Sequence, residues 1–177
     1  PGGELYFSDV FASRRIPKEL AQDDVFVGEC LGGALYTEDF RRMMAKLGSH
    51  DYRLTSRSKI ALLNADIERA AGKIDFYSMT VRAFKLNLED RCEDYGQVAI
   101  YKGGIPNCPN LFALDDHHVF EKGKPMAVCG NTASMLQETR YSEYFNIIGN
   151  TEKHFGLFDC EPVSTSNQND SNVGACC

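Results

Sequence analysis

Cysteine is the residue type in this chain with the most distinctive chemistry. The seven cysteines are Cys30, Cys92, Cys108, Cys129, Cys160, Cys176 and Cys177. They contain no CxxC pair, and no Cys/His spacing matches a zinc finger, so we expect no structural metal. Thiolates prefer soft ions, which leaves a thiophilic metal or metalloid as a ligand. An odd number of cysteines is a poor disulfide framework and no secretory signal is recognisable, so we expect free thiols and a cytoplasmic location.

Cys30 has the most informative local sequence. It lies in the run GECLGG, residues 28–33, ahead of apolar residues at helical spacing. Glycines allow a close approach to the backbone, and a position in the first turn of a helix would favour the thiolate through the helix macrodipole. The residues also leave open a buried structural cysteine, because free cysteine is among the most buried residue types.

Cys92 has a charged neighbourhood with a net negative charge. One base, Arg91, stands among four acids, which are Glu89, Asp90, Glu93 and Asp94. Net acidity should raise the pKa of the Cys92 thiol, although binding of a metal or metalloid can still displace its proton. Cys108 and Cys129 lie in no motif that we can connect to a site.

The run Asp115-Asp116-His117-His118 also contains metal-ligating residue types. Adjacent residues of a strand point to opposite faces, so the two histidines would not easily chelate one ion. We favour a loop that stabilises the C-terminal region.

Composition excludes two classes of function. The net charge of −6 argues against a nucleic-acid-binding surface. No run of about 18 apolar residues occurs, so we expect no membrane partner. The length of 177 residues fits one domain or parts of two.

The residue pattern predicts alternating strands and helices that would position these groups. Strands are predicted at residues 4–11, 52–55, 59–63 and 74–86, and helices at 37–47, 65–71 and 132–139, with Asn64 and Asn131 as N-caps of the last two. Asp9 would then lie at the carboxyl end of the first strand, where open α/β sheets bind ligands. A helix cap or a surface acid is the alternative for Asp9.

Five runs of the chain together resemble a known enzyme family. GGELYFSDVFASRR, GECLGGALY, CEDYGQ, DDHHVFE and VCGNTASML are similar to the C-terminal half of the arsenite S-adenosylmethionine methyltransferases, in the same order. The resemblance extends from Gly2 to about Cys160. It implies an α/β fold, with the C-terminal part of a class I methyltransferase-like sheet followed by a small α+β region. The family's glycine-rich cofactor motif is absent, so we expect a piece of a longer enzyme that binds S-adenosylmethionine mainly through its N-terminal half.

The resemblance also assigns roles to individual residues. Cys30 matches a thiolate ligand of trivalent arsenic and would be the catalytic residue. Some members place a second arsenic ligand where this chain has Met79, so Cys92 is the second ligand expected here, with a structural thiol as the alternative. Cys176 and Cys177 resemble a terminal pair that would deliver arsenic, or are incidental. Asp9 would line the cofactor site.

The implied organisation has four regions. Residues 1–27 would complete the cofactor-binding sheet, 28–115 would bind arsenic(III), 116–160 would form a C-terminal α+β region, and 161–177 a flexible tail ending in cysteines. The resemblance implies methyl transfer from S-adenosylmethionine to thiol-bound trivalent arsenicals in arsenic detoxification, with glutathione or thioredoxin as reductant. The alternative is a thiol-based metalloid-binding module without catalysis, which the presence of a cofactor motif upstream would exclude.

Overall fold

The chain forms two compact units. A computed structural model describes residues 1–160. The first unit contains Pro1–Leu5, Ser49–Thr55 and the chain from Arg82 onward, and the second contains Tyr6–Gly48 and Ser56–Val81. The four functional regions expected from the sequence remain predictions, since a compact unit and a functional region are different divisions of a chain.

The secondary structure is a mixture of short helices and small sheets, as an α/β fold requires. The strands are β1 Glu4–Ala12, β2 Leu35–Tyr36, β3 Tyr52–Lys59, β4 Phe76–Phe84, β5 Glu93–Asp94, β6 Gln97–Tyr101, β7 Leu111–Ala113, β8 Val119–Glu121, β9 Pro125–Val128, β10 Phe145–Ile148 and β11 Gly156–Leu157. The helices are α1 Lys18–Ala21, α2 Asp24–Gly28, α3 Thr37–Lys46, α4 Ala65–Ala71 and α5 Gly130–Gln137, and Ser142–Tyr144 is a 3-10 turn. None of these helices is long and apolar enough to cross a membrane.

The strands pair into four sheets within the described residues. One sheet has the order β2-β1-β4-β3, with β1 parallel to β2, and a second has the antiparallel order β10-β6-β9. Two antiparallel pairs, β11-β5 and β7-β8, complete the set. The β11-β5 pair matters most for the site, because it brings residues near position 160 alongside residues near position 92.

The second unit is built around the apolar faces predicted from the sequence. Its core contains Phe26, Leu31, Ile67 and Phe76, which are all nearly inaccessible to solvent. The predicted helices are confirmed at α3 and α4, and the Asn64 side chain caps α4 by accepting hydrogen bonds from two backbone N–H groups. An amphipathic pattern combined with a cap was therefore sufficient to locate these helices.

The first unit has a larger, aromatic core. Its rings contact one another with centroids about 5–6 Å apart, in tilted and edge-on arrangements that aromatic pairs prefer, and they belong to Tyr101, Phe112, Phe120 and Phe145. Met135 and Leu136 of α5 are fully buried in the same core. This packing fixes α5, whose first residues carry part of the site.

Two predictions about strands were wrong. Strand β3 runs without interruption to Lys59, and Ile60 and Leu62 then pack on the core of the second unit as a loop. Strand β1 continues to Ala12 because Phe11 and Ala12 are buried. Asp9 therefore lies inside the strand, exposed, with its Oδ1 accepting a hydrogen bond from Val10 N (2.7 Å), and not at the carboxyl end.

Candidate thiol sites

Cys30 lies in a tight turn that follows α2. Its backbone has a φ of 59°, in the left-handed region that residues other than glycine rarely adopt. The turn is closed by hydrogen bonds from Cys30 N to Val27 O (3.1 Å) and from Leu31 N to Phe26 O (2.8 Å). Leu31 is buried while Cys30 is exposed, so the turn directs the thiol towards solvent. The alternative of a buried structural cysteine is therefore wrong.

Cys30 does not lie in the first turn of a helix, the position that would have favoured its thiolate. Helix α2 ends at Gly28, immediately before the turn, and α3 begins only at Thr37. The intervening residues do not extend α3, because Leu31 and Ala34 are buried in the core and β2 pairs with β1.

The glycines around Cys30 have different roles. A Cβ built on Gly28 or Gly33 would meet no atom within 4 Å, so both positions border open space. A Cβ on Gly32 would lie 3.1 Å from Ala21 O and 3.2 Å from a Val27 methyl group. Gly32 is thus needed for packing, whereas the backbone at Gly28 and Gly33 is not crowded by other atoms.

Three other cysteines form a cluster in the first unit. The Sγ atoms of Cys92, Cys129 and Cys160 all lie within 4.8 Å of one another. Cys129 is buried, Cys92 is half-buried and Cys160 is partly exposed. We refer to these three residues as the thiol cluster. The sequence analysis identified Cys92 but missed Cys129 and Cys160, since their spacing in the chain matches no known ligand pattern.

Pairing of β5 with β11 brings Cys160 close to Cys92. Leu157 is opposite Glu93 in the register, and Phe158 N donates a hydrogen bond to Cys92 O (2.8 Å). The chain then needs only two more residues to reach Cys160. A two-residue strand pair has little sequence signal, which is why this proximity could not be predicted.

Cys129 is the N-cap of α5. Its sulfur accepts a hydrogen bond from Thr132 N (3.5 Å) and lies 3.3 Å from Thr132 Oγ1. The prediction that Asn131 is the N-cap is therefore wrong. The Asn131 amide accepts from Glu89 N (2.9 Å) and donates to Glu89 O (2.8 Å) and to Asp51 Oδ2 (3.0 Å). Asn131 therefore holds the segment before Cys92 against the start of α5.

A buried arginine completes the surroundings of Cys129. Arg53 donates two hydrogen bonds to Asp51 (both 2.7 Å), one to Asp115 Oδ2 (2.9 Å) and one to Thr132 Oγ1 (3.1 Å). Arg53 Nη2, which donates to Asp51 and to Thr132, also lies 3.9 Å from Cys129 Sγ. Two carboxylates thus already balance the guanidinium charge next to the cluster.

The thiol cluster favours one thiolate, at Cys129. A hydrogen bond from Cys92 lowers the pKa of Cys129 to about 5, opposed by burial and assisted by Thr132 and the charge of Arg53. The pKa of Cys92 is raised, as predicted, but chiefly by its hydrogen bond to Cys129 and by burial, not by the neighbouring acids. Burial is also the main cause that raises the pKa of Cys160.

The Asp115–His118 segment is used for structure. Burial raises the pKa of Asp115, but its hydrogen bond with His118 and the charge of Arg53 outweigh this and hold that pKa well below its usual range. Asp115 Oδ1 also accepts from the backbone N–H groups of His117 and His118. Asp115, Asp116 and His117 do bring three potential ligand atoms together. Asp115 is already engaged by these partners, which weakens its case as a metal ligand.

The remaining cysteines are Cys108, Cys176 and Cys177. Cys108 is buried and disulfide-bonded, so the expectation of free thiols throughout is wrong at this position. Cys176 and Cys177 lie outside the described residues.

Comparison with known proteins finds similar proteins over most of the chain. Residues 94–177 match the family described as the arsenite methyltransferase C-terminal domain. The chain is 51% identical to the arsenite methyltransferase of Aquipseudomonas alcaligenes over 90% of its own length and 46% of that protein. The chain is a relative of the arsenite methyltransferases. The resemblance inferred from the sequence is thereby confirmed.

Other arsenite methyltransferases are also similar. The human protein is 36% identical over 82% of this chain and 38% of its own length. CrArsM, an arsenic(III) S-adenosylmethionine methyltransferase from Chlamydomonas reinhardtii, matches with a TM-score of 0.84 and 47% identity, over 90% of this chain and 54% of that one. The chain spans less than half the length of the curated relatives it matches.

Proposed function

We propose that the full-length protein containing this chain transfers a methyl group from S-adenosylmethionine to trivalent arsenic bound by cysteine thiolates. The observation that carries the proposal is the solvent-exposed Cys30 thiol, in a turn where Gly28 and Gly33 border open space. The names of the relatives support the substrate and the enzyme class. They disfavour the alternative of a metalloid-binding module without catalysis.

Arsenic chemistry explains why thiolates suit this reaction. Trivalent arsenic bound by thiolates keeps a lone pair that points away from the sulfurs. That lone pair can attack the methyl group of the sulfonium in line, so the protein has mainly to orient the two partners and exclude water. Cys30 would hold the arsenic during transfer. Cys92, the second arsenic ligand expected from the sequence, has two sulfur partners of its own in Cys129 and Cys160.

The proposal includes partners that supply the cofactor and the electrons. S-adenosylmethionine would bind mainly to parts of the full-length protein outside this chain, with Asp9 as a predicted contact. Glutathione or thioredoxin would act as reductant, which suits a cytoplasmic enzyme of arsenic detoxification. Cys176 and Cys177 would deliver arsenic to the site.

Replacement of Cys30 tests the proposal. In the full-length protein, Cys30→Ser should abolish arsenite methylation, because a hydroxyl is a hard, poorly ionised ligand for a soft metalloid. Its melting temperature and its binding of S-adenosylmethionine should match the wild type, since the side chain is exposed and the two residues are similar in size. Near-normal turnover in this variant would refute a role for Cys30. If the variant lost both its activity and its cooperative melting transition, Cys30 would have a structural role.

A further inference from the structure

We propose that Cys92, Cys129 and Cys160 bind one trivalent arsenic atom through three sulfur ligands of their own. This thiol-cluster site would need neither methyl transfer nor the sulfur of Cys30. It therefore goes beyond the proposed function, which concerns the arsenic that receives the methyl group.

The geometry of the cluster fits trivalent arsenic. Its complex with three thiolates is a pyramid, with arsenic at the apex and all the sulfurs on one side. Three Sγ atoms that lie mutually within 4.8 Å provide this arrangement after small side-chain rotations. Among the described residues, no histidine or carboxylate joins these three as a fourth ligand. Structural zinc sites are almost always tetrahedral, with four ligands, so the set suits zinc less well.

The ligands are held in place before any ion arrives. Capping of α5 fixes Cys129, Asn131 ties the segment before Cys92 to the same helix end, and the β5-β11 pair fixes the approach to Cys160. Supporting contacts of this kind orient metal ligands and contribute substantially to affinity. Cys160, the partly exposed member, leaves the site open to arsenite from solvent.

Binding requires no oxidant and no reductant. With one thiolate and two thiols in the cluster, As(OH)₃ exchanges its three hydroxides for three sulfurs. Three As–O bonds break and three As–S bonds form, and the products are As(SR)₃, two water molecules and one hydroxide. Arsenic stays trivalent throughout.

Charge also favours arsenic over zinc at this position. The As(SR)₃ product is neutral, whereas zinc with three thiolates carries a net negative charge. Arg53, the cation next to the cluster, is already paired with Asp51 and Asp115. Arsenic binding therefore removes the negative charge of the Cys129 thiolate from this partly buried site, whereas zinc with three thiolates would keep a negative charge there, which is costly at low dielectric.

Arsenic stoichiometry in the full-length protein tests the site. Each protein is equilibrated with arsenite without competing thiols, and bound arsenic per chain is measured by elemental mass spectrometry. We expect Cys129→Ser and Cys30→Ser each to lose one equivalent, and the double variant to lose two. Serine is a preferred N-cap, so Cys129→Ser should keep α5 intact, which circular dichroism and a thermal melt will verify.

A dithiol-specific arsenical provides a second readout. Phenylarsine oxide can take only two sulfurs, because its third substituent is carbon. Cys160→Ser should therefore still bind phenylarsine oxide through Cys92 and Cys129. Its affinity for arsenite at this site should fall by more than about 100-fold, the upper end for loss of a merely supporting contact.

Several outcomes would overturn the inference. Cys129→Ser could retain the full arsenic content, the two single variants could lose the same equivalent, or zinc could displace arsenite at equal concentration. Failure of the proposed function looks different, since Cys30→Ser would then methylate normally whatever the content of the thiol cluster.

Discussion

The two thiol environments of this protein differ in the number of sulfur atoms and in how firmly the surrounding residues fix them. Cys30 is a single exposed thiol in a left-handed turn, with open space at Gly28 and Gly33. The thiol cluster is a preorganised set of three, anchored by Asn131 and by the cap of α5. A single accessible sulfur suits a ligand that must arrive, react and leave. Three fixed sulfurs suit a ligand that is retained.

The largest effect that would separate the two environments concerns Arg53. Arg53→Met should destabilise the protein by about 3–5 kcal/mol, because Asp51 and the buried Asp115 lose the guanidinium that balances their charge. Urea denaturation measures the change. Arg15→Met is the matched control in the second unit, since the Arg15–Asp39 pair is largely exposed to solvent and should matter little. Equal effects of the two substitutions would contradict the comparison.

Asn131 should have the next largest effect. Asn131→Ala removes hydrogen bonds to Glu89 and Asp51 and should cost about 1–3 kcal/mol in stability. Its loss should also weaken arsenite binding at the thiol cluster by about 10–100-fold, as for other supporting contacts, measured by titration in a Cys30→Ser background.

Asn64→Ala is the control for this change. It removes the cap of α4 in the second unit and should cost about 1 kcal/mol without altering arsenite affinity at the cluster. If both asparagine variants weakened arsenite binding equally, the effect would be one of general stability.

A smaller effect is expected at the turn that contains Cys30. Gly32→Ala should destabilise the protein by about 1 kcal/mol and reduce methylation, because the added methyl group crowds Ala21 O and Val27. Gly33→Ala, where the methyl group meets open space, should leave stability unchanged. Thermal melts and initial rates of both variants provide the comparison, and indistinguishable variants would show that the turn tolerates crowding.

The smallest effect is a shift in protonation without loss of structure. Thr132→Val removes a hydroxyl that stabilises the Cys129 thiolate, so the pKa of Cys129 should rise from about 5. Thiolate absorbance against pH, corrected with Cys129→Ser, measures it. Thr139 lies beyond the other end of α5, so Thr139→Val should not change the pKa of Cys129. An unchanged pKa of Cys129 in Thr132→Val would show that Thr132 does not stabilise the thiolate.

The same pKa predicts how stability depends on pH. A thiol whose pKa is lower in the folded state stabilises the fold above its unfolded pKa, near 9. That contribution declines as the pH falls towards about 5 and is lost below it. The unfolding free energy of the wild type relative to Cys129→Ser should therefore rise between pH 5 and 9. Above that range it should fall, since Cys92 has a raised pKa and keeps its proton in the folded state. A difference that is flat with pH would contradict the thiolate assignment.

Local sequence was enough to predict two helices and to single out Cys30 as a candidate arsenic ligand. Helices α3 and α4 follow from apolar periodicity and, for α4, from the Asn64 cap, because both signals act within a few residues of the chain. The Cys30 motif and the order of the other motifs were enough to indicate the enzyme family. Each of these inferences depends on neighbours in sequence.

Only the tertiary structure decided the thiol cluster. Cys129 and Cys160 carry no local signal, and they meet Cys92 through the two-residue β5-β11 pair and the start of α5. Tertiary contacts also decided against one local prediction, since Cys129 caps α5 while Asn131 bridges to Glu89. The physical reason is that tertiary packing selects among conformations that local propensity leaves nearly equal in energy.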